Sequence, residues 1–438
     1  MGSFKKDSFI LNDSNAQKVF GGQLISQACD KMMTIGMIWV LTVQFSPKWI
    51  PWFIGISALP HLLLSTSSGK WIEKKGALRT VIGADAFRGF LFLAAGGAVF
   101  YLKTSVDLLL LLFLSIFISN TAGALFNPAI LSLPVEMLPP GEKRDKLTAL
   151  LDSCFSFGNV LGPLSSALVY SALGLEGLLI ANGVSYLFSA LLASGIKLKT
   201  KIGTPLPEPE TALAASGEPI TENEAVLPVA GKGILSPAPK STLQILKNEP
   251  VISGMLGRFL VINLFLAPIM VFMPWYTKNV YGKGIAGLAA LEVFLGVGTL
   301  AGTLLLSFFS FSGTAAWKKI TLSAVLTGAA YLAFSFTKGL FWGSLFMGIL
   351  GFFLSFANVM ILNFFQSVPE PQDVPGVMAV VNLITVASLP VSMALTGALI
   401  EDVPVKSLAV SCSSVVILAA FSLAFSQGFK RADLKRAA

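Results

Sequence analysis

Apolar residues run along this chain in long blocks, and the polar positions fall mainly in the gaps between them. The blocks are too long for strands. They are also too uniformly apolar for surface helices, in which apolar positions recur every three or four residues. A helix of about 20 apolar residues crosses the hydrocarbon core of a bilayer, and on that measure the pattern predicts twelve spans. The first six lie at 19–45, 49–68, 79–101, 105–135, 145–172 and 174–196. The second six lie at 251–276, 285–309, 317–336, 339–366, 374–400 and 406–427. Between the sets, residues 197–248 hold Thr204-Pro205-Leu206-Pro207-Glu208-Pro209-Glu210 and Ser236-Pro237-Ala238-Pro239 with almost no aromatic residues. That composition predicts an exposed linker, ending in a short amphipathic helix over 241–246. The expected fold is an all-α membrane protein with two six-helix bundles, 1–196 and 249–438, joined by the linker.

Composition narrows the function classes. Of 438 residues, 54% are hydrophobic and 12% charged, against about 25% charged in soluble domains. A water-soluble enzyme is excluded, and so is a transmembrane barrel, which needs short alternating strands. Cys29, Cys154 and Cys412 all fall in apolar blocks and read as small buried hydrophobes. With one histidine, His61, a multi-histidine metal site is not expected. No G-x-x-x-x-G-K-(S/T) loop occurs, so ATP is not the expected driver, and no nucleophile constellation points to an enzyme. The start, Met1-Gly2-Ser3-Phe4-Lys5-Lys6, fits neither myristoylation nor a cleavable signal.

The net charge of +8 is a topology signal. With the N-terminus inside, the inner segments carry about 22 Lys and Arg and the outer ones 6. The positive-inside rule then places both termini and the linker in the cytoplasm. Because the basic residues are spread over membrane-flanking loops, a nucleic-acid partner is not expected.

The halves also resemble each other. A shift of 230 residues superposes Phe126 on Phe356, Pro139 on Pro369, Ala149 on Ala379 and Asp152 on Asn382. A parallel duplication of this kind predicts a substrate site between the halves near the midplane, with access alternating as one half rocks against the other.

Three segments carry more specific patterns. The loop after span two reads Gly69-Lys70-Trp71-Ile72-Glu73-Lys74-Lys75-Gly76-Ala77-Leu78-Arg79. Span five contains Gly158-Asn159-Val160-Leu161-Gly162-Pro163, and span one contains Gly22-Gln23-Leu24-Ile25-Ser26-Gln27-Ala28-Cys29-Asp30-Lys31. The loop resembles the G-x-x-x-D-(R/K)-x-G-(R/K)-(R/K) loop of the major facilitator superfamily, with Glu73 in the acid position, Lys74 as a base, and Arg79 one place late. Span five resembles the superfamily's antiporter motif. Span one, with Gly83-Ala84-Asp85-Ala86-Phe87-Arg88 and Phe126-Asn127-Pro128-Ala129, is similar to the branch of macrolide-efflux proteins and siderophore exporters. The lysophospholipid transporters share much of that pattern.

The resemblance implies a twelve-helix secondary transporter of a bacterial inner membrane, working as a monomer. It implies proton-driven export of an amphipathic drug, macrolide or siderophore by alternating access, with no cofactor beyond the proton gradient and with membrane lipids as its surroundings. Inward movement of a lysophospholipid is the alternative, and a non-transporting membrane sensor or assembly protein is a further one. Gly69, Glu73, Lys74, Gly76 and Arg79 would form a latch, with an acid set against a neighbouring helix N-terminus. Gly158, Gly162 and Pro163 would bend span five and pack it closely.

Ionisable residues inside spans are the remaining candidates. Asp30 lies about 17 Å into span one at 1.5 Å per residue, near the middle of the core. A carboxylate there costs at least about 2.5 kcal/mol unless it meets water or a partner, and proton uptake removes that cost. Asp30 therefore reads either as a proton carrier or as a helix-to-helix bond. Asp85 and Arg88, three apart, can pair on one helix face. Asp152 stands near a gate, and Arg258 and Glu292 are a candidate pair for coupling or gating in the second half, unless Arg258 meets an anionic substrate group. In the superfamily, spans one, four, seven and ten line the cavity, which offers Asn120, Asn127, Asn263, Asn358, Asn363 and Gln366 to substrate. His61 reads as a packing residue or a proton relay.

Overall fold

Helices fill each of the predicted blocks among residues 13–64, 67–102, 104–139, 141–197, 250–308, 316–369, 373–426 and 429–430, which the computed structural model describes. The proline-rich linker and the amphipathic helix expected at its end lie outside the described residues. The first half comprises α1 (Ser14–Gln44), α2 (Trp49–Leu64), the short loop helix α3 (Ser68–Lys75), α4 (Ala77–Val99), α5 (Ser105–Met137) and α6 (Glu142–Ser194). The second comprises α7 (Pro250–Leu266), α8 (Ile269–Asn279), α9 (Ile285–Phe308), α10 (Ala316–Ser335), α11 (Leu340–Ser367), α12 (Val374–Leu399) and α13 (Val405–Ser422).

Two blocks differ from single helices, each for a local reason. At Gly174, φ of 67° and ψ of −161° interrupt α6, a conformation that a side chain resists. The chain reverses there: Cys154 reaches toward the carbonyl of Phe20, and Ser189 of the returning stretch packs on Gly22. Span seven breaks between α7 and α8 at Pro268, which lacks the amide proton the helix needs. Among the described residues, nine helical stretches are long and apolar enough to cross a bilayer. With the second crossing in α6, the shorter α2 and the 20-residue α10, the spans number twelve.

The same pairings recur in both halves. In the first half α1 and α4 pack on the two limbs of α6, and α2 packs on α5. In the second half α12 packs on α7, α13 on α10, and α11 on α9. The halves meet where α2 lies along α12 and α6 along α9.

Among the described residues, their apolar cores are joined at one end only. At the end away from the chain termini, one buried cluster runs from Met33, Trp39 and Phe53 into Phe272, Tyr276 and Met393. Lys278 donates to the Thr42 carbonyl at 2.7 Å and Lys48 pairs with Glu401 at 2.9 Å, binding the halves there. At the termini end the core is split. Val19, Val81, Ile130 and Leu151 pack within the first half, and Ile252, Ile320, Phe364 and Val377 pack within the second. Closed at one end and divided at the other, the described core opens toward the termini.

Candidate functional site

Adjacent residues of α1 face two different polar environments, because successive side chains on a helix are about 100° apart. Asp30 faces the interior of the first half. Its Oδ1 accepts a hydrogen bond from the Tyr186 hydroxyl of α6 at 2.6 Å. Arg88 of α4 donates to the same hydroxyl at 3.2 Å and pairs with Asp85. Asp85 also accepts from Ser189 at 2.7 Å, and Gln23 of α1 donates to Ser189 at 3.2 Å. The Arg88 guanidinium lies 4.2 Å from the Phe126 ring centroid and 4.1 Å from that of Tyr186, between two aromatic faces. Asp85 is fully buried and Arg88 nearly so, whereas Asp30 is half-buried. Asp85 is therefore bonded by a cation and a hydroxyl, and Asp30 by a hydroxyl alone among the described residues.

Lys31 turns the other way, toward the seam between the halves. A cavity of about 180 Å³ is lined there by Lys31, Ser156 and Asn159 of the first half and by Glu292, Gly296 and Thr299 of the second. It lies well inside the spans, since Lys31 is the eighteenth residue of the 31-residue α1 and Glu292 the eighth of the 24-residue α9. Neither Lys31 nor Glu292 has an ion-pair partner among the described residues. The glycines of span five set how closely it packs on α1, within the first half. A Cβ at Gly158 would stand 3.2 Å from the Gln27 carbonyl, and one at Gly162 would stand 3.0 Å from that of Ala28. The turn of α1 that carries Asp30 and Lys31 thus rests directly on the G-x-x-x-G-P segment, and Pro163 is buried beside it.

Other sequence candidates lie apart from this centre. Arg258 and Glu292 do not pair: Arg258 donates to Ser422 of α13 and to the Gly254 carbonyl, each at 2.9 Å. The side chain of Asp152 lies outside the described residues. In the loop, Glu73, Lys74 and Arg79 are exposed, and Gly69 has open space where a Cβ would go. Gly76, with φ of 86°, ends α3 and starts α4. The acid at the N-terminus of α4 is Glu136 of α5, which accepts from the Leu78 amide at 3.0 Å, a place the sequence reading gave to Glu73.

Among the cavity candidates, Asn120 donates to the Ser57 carbonyl at 2.9 Å and so ties α5 to α2. Asn263 donates at 2.8 Å to Phe259 in its own helix. Asn127, Asn358, Asn363 and Gln366 are exposed on α5 and α11, with side-chain amides unbonded among the described residues. His61 is half-buried against Gly123 of α5. Sequence reasoning missed Tyr186, Ser189, Lys31 and Glu136. The signal for the first two was present, since Asn182, Ser185, Tyr186 and Ser189 form one polar stripe at helical spacing.

Comparison with known proteins bears on this geometry. The family model of the Major Facilitator Superfamily matches residues 19–394. A bacterial homolog of the human lysosomal transporter Spinster, in an inward-facing and unoccupied conformation, superposes with a TM-score of 0.64 at 12% identity. That match covers 98% of this chain and 99% of the homolog. The peptide transporter POT in complex with sulfate gives a TM-score of 0.68 at 11% identity, covering 99% and 97%. The POT family transporter PepTSo gives 0.62 at 13% identity, covering 95% and 98%. At these identities the likeness is one of fold. No curated protein matches the sequence.

Proposed function

The chain belongs to the major facilitator superfamily, and for this multi-pass membrane transporter we propose proton-coupled export of an amphipathic organic molecule such as a drug, macrolide or siderophore. In this reading the termini face the cytoplasm of a bacterial cell, and the open end is the cytoplasmic one. The observation that carries it is the position of Asp30 at the edge of a buried charge cluster, one residue before a lysine at the seam between the halves.

The cluster of Asp30, Asp85 and Arg88 holds two carboxylates and one guanidinium, so one proton makes it neutral. In a low-dielectric interior that proton changes the electrostatics sharply. Asp30 takes the proton, because Asp85 is already held by Arg88 and Ser189. Protonation weakens the hold of Asp30 on Tyr186 and shifts the turn of α1 that rests on Gly158 and Gly162. Lys31 then moves relative to Glu292 across the seam. Two opposite charges that face one cavity unpaired in this state close into an ion pair in the other, a differential contact of the kind a conformational equilibrium responds to. The span-five motif, which goes with export in the superfamily, supports the direction. Exposed Asn127, Asn358, Asn363 and Gln366 would offer hydrogen bonds to a substrate entering from the open end.

The second reading, movement of a lysophospholipid, is favoured by one feature. Lys31 and Glu292 together complement the phosphate and ammonium of a zwitterionic headgroup.

Flux in proteoliposomes carrying macrolides, siderophores or lysophospholipids, with an imposed pH gradient, tests both. Gradient-driven flux is expected for one substrate class, and Asp30→Asn is expected to remove its gradient dependence while leaving substrate exchange. Flux indifferent to the gradient and unchanged in Asp30→Asn would contradict proton coupling at this site. Lysolipid movement without drug flux would select the second reading.

A further inference from the structure

A broad apolar groove lies on the outer surface of the first half, apart from the charge cluster and the seam. It encloses about 700 Å³ between α3, α4 and α5, and no described residue of the second half lines it. Gly83, Ala84, Phe87, Phe117, Ala122 and Leu125 form its walls. Phe87 and Phe117 are 52% and 37% exposed, so the groove opens sideways, toward the lipid.

Its termini end has a different chemistry. Trp71, Lys75 and Arg79 close the groove there. The Lys75 ammonium lies 5.9 Å from the Trp71 ring centroid. Arg79 is exposed and makes no hydrogen bond or ion pair among the described residues. Tryptophan favours the headgroup level of a membrane, which places the two cations at the depth of lipid phosphates. From Arg79 to Phe87 the helix rises about 12 Å at 1.5 Å per residue, close to the hydrocarbon depth of one leaflet, about 15 Å. A soluble anion has no use for the apolar walls, and an uncharged lipid has no use for the cations. The occupant that uses both is an amphiphile with a negative head.

We propose that this groove is a binding site for an anionic glycerophospholipid of the cytoplasmic leaflet. Its phosphate lies between Lys75 and Arg79, its glycerol lies beside Trp71, and one acyl chain runs past Gly83 toward Phe87. Because α3 supplies two of the three headgroup contacts, the bound lipid fastens this loop helix to α4 and α5. The site is separate from the transport path, so its standing does not depend on which substrate is carried.

Native mass spectrometry of the full chain in detergent, titrated with phosphatidylglycerol or phosphatidylcholine, tests the site. Phosphatidylglycerol should be retained more strongly. Each cation is worth roughly a factor of five toward an anionic lipid, so the Lys75→Gln/Arg79→Gln pair should lose roughly 25-fold in phosphatidylglycerol affinity and leave phosphatidylcholine unchanged. A Cβ at Gly83 meets nothing within 4 Å, so Gly83→Leu fills the groove without displacing protein and should weaken both lipids. Should the charge variant fail to fold, Gly83→Leu decides alone. Equal retention of the two lipids, wild-type binding in both variants, or displacement of phosphatidylglycerol by glycerol 3-phosphate would overturn the proposal.

Discussion

Arg88 is the residue on which the buried cluster turns. It pairs with Asp85, bonds Tyr186 and lies between two aromatic rings. Arg88→Gln leaves Asp85 as a buried charge without its cation, a change that typically costs about 3–5 kcal/mol. The thermal midpoint of the purified protein should fall accordingly. Adding Asp85→Asn to that variant should restore much of the loss, because the orphaned charge is then gone; a double variant as unstable as the single would count against the pairing. At this scale the sequence was most informative where a carboxylate or guanidinium stood in the apolar blocks of spans one and three. Asp30, Asp85 and Arg88 all stand out that way and all enter one cluster. Tyr186, Ser189 and Gln23 do not, because hydroxyls and amides are ordinary in membrane helices. The sequence alone gives Lys31 no role and offers Glu292 a partner, Arg258, within its own half. The cavity that joins Lys31 to Glu292 exists only once the halves are placed.

At the scale of elements, glycine position decides how closely span five approaches span one. Gly158→Leu puts a side chain where even a Cβ is 3.2 Å from the Gln27 backbone. Overpacking of this sort costs about 1–3 kcal/mol, so the thermal midpoint should drop, while Gly83→Leu, in open space, should leave it nearly unchanged. Equal effects would mean that helix approach at the span-five motif is not tight. Block lengths made the spans themselves readable, because a bilayer fixes how much apolar helix is needed. The reversal at Gly174 also fell where the blocks divide. The break at Pro268 was hidden, since its neighbours are apolar on both sides. The capping of α4 by Glu136 was hidden as well, because it joins residues 58 apart in the chain.

For the whole molecule, the duplicated pattern already implied two bundles, and the recurring helix pairings are its three-dimensional form. Which end is closed could not be read from the sequence, because in the proposed alternating-access cycle one sequence supports both states. The joined core near Phe53 and Phe272, with Lys278 on Thr42 and Lys48 on Glu401, records one of those states. The exposed Lys48–Glu401 pair is worth little, about 1 kcal/mol or less, which suits a contact that breaks in the proposed cycle.

The most direct test measures distances at both ends of the seam by electron–electron resonance in lipid nanodiscs. Spin labels at Lys143 and Ser367 report the termini end, and labels at Tyr101 and Lys338 report the opposite one; all four positions are exposed. On lowering the pH, the account predicts that the first distance shortens as the second lengthens, and that Asp30→Asn removes the pH response. Distances that change together, or a pH response that survives in Asp30→Asn, would contradict a rocking transporter coupled through Asp30.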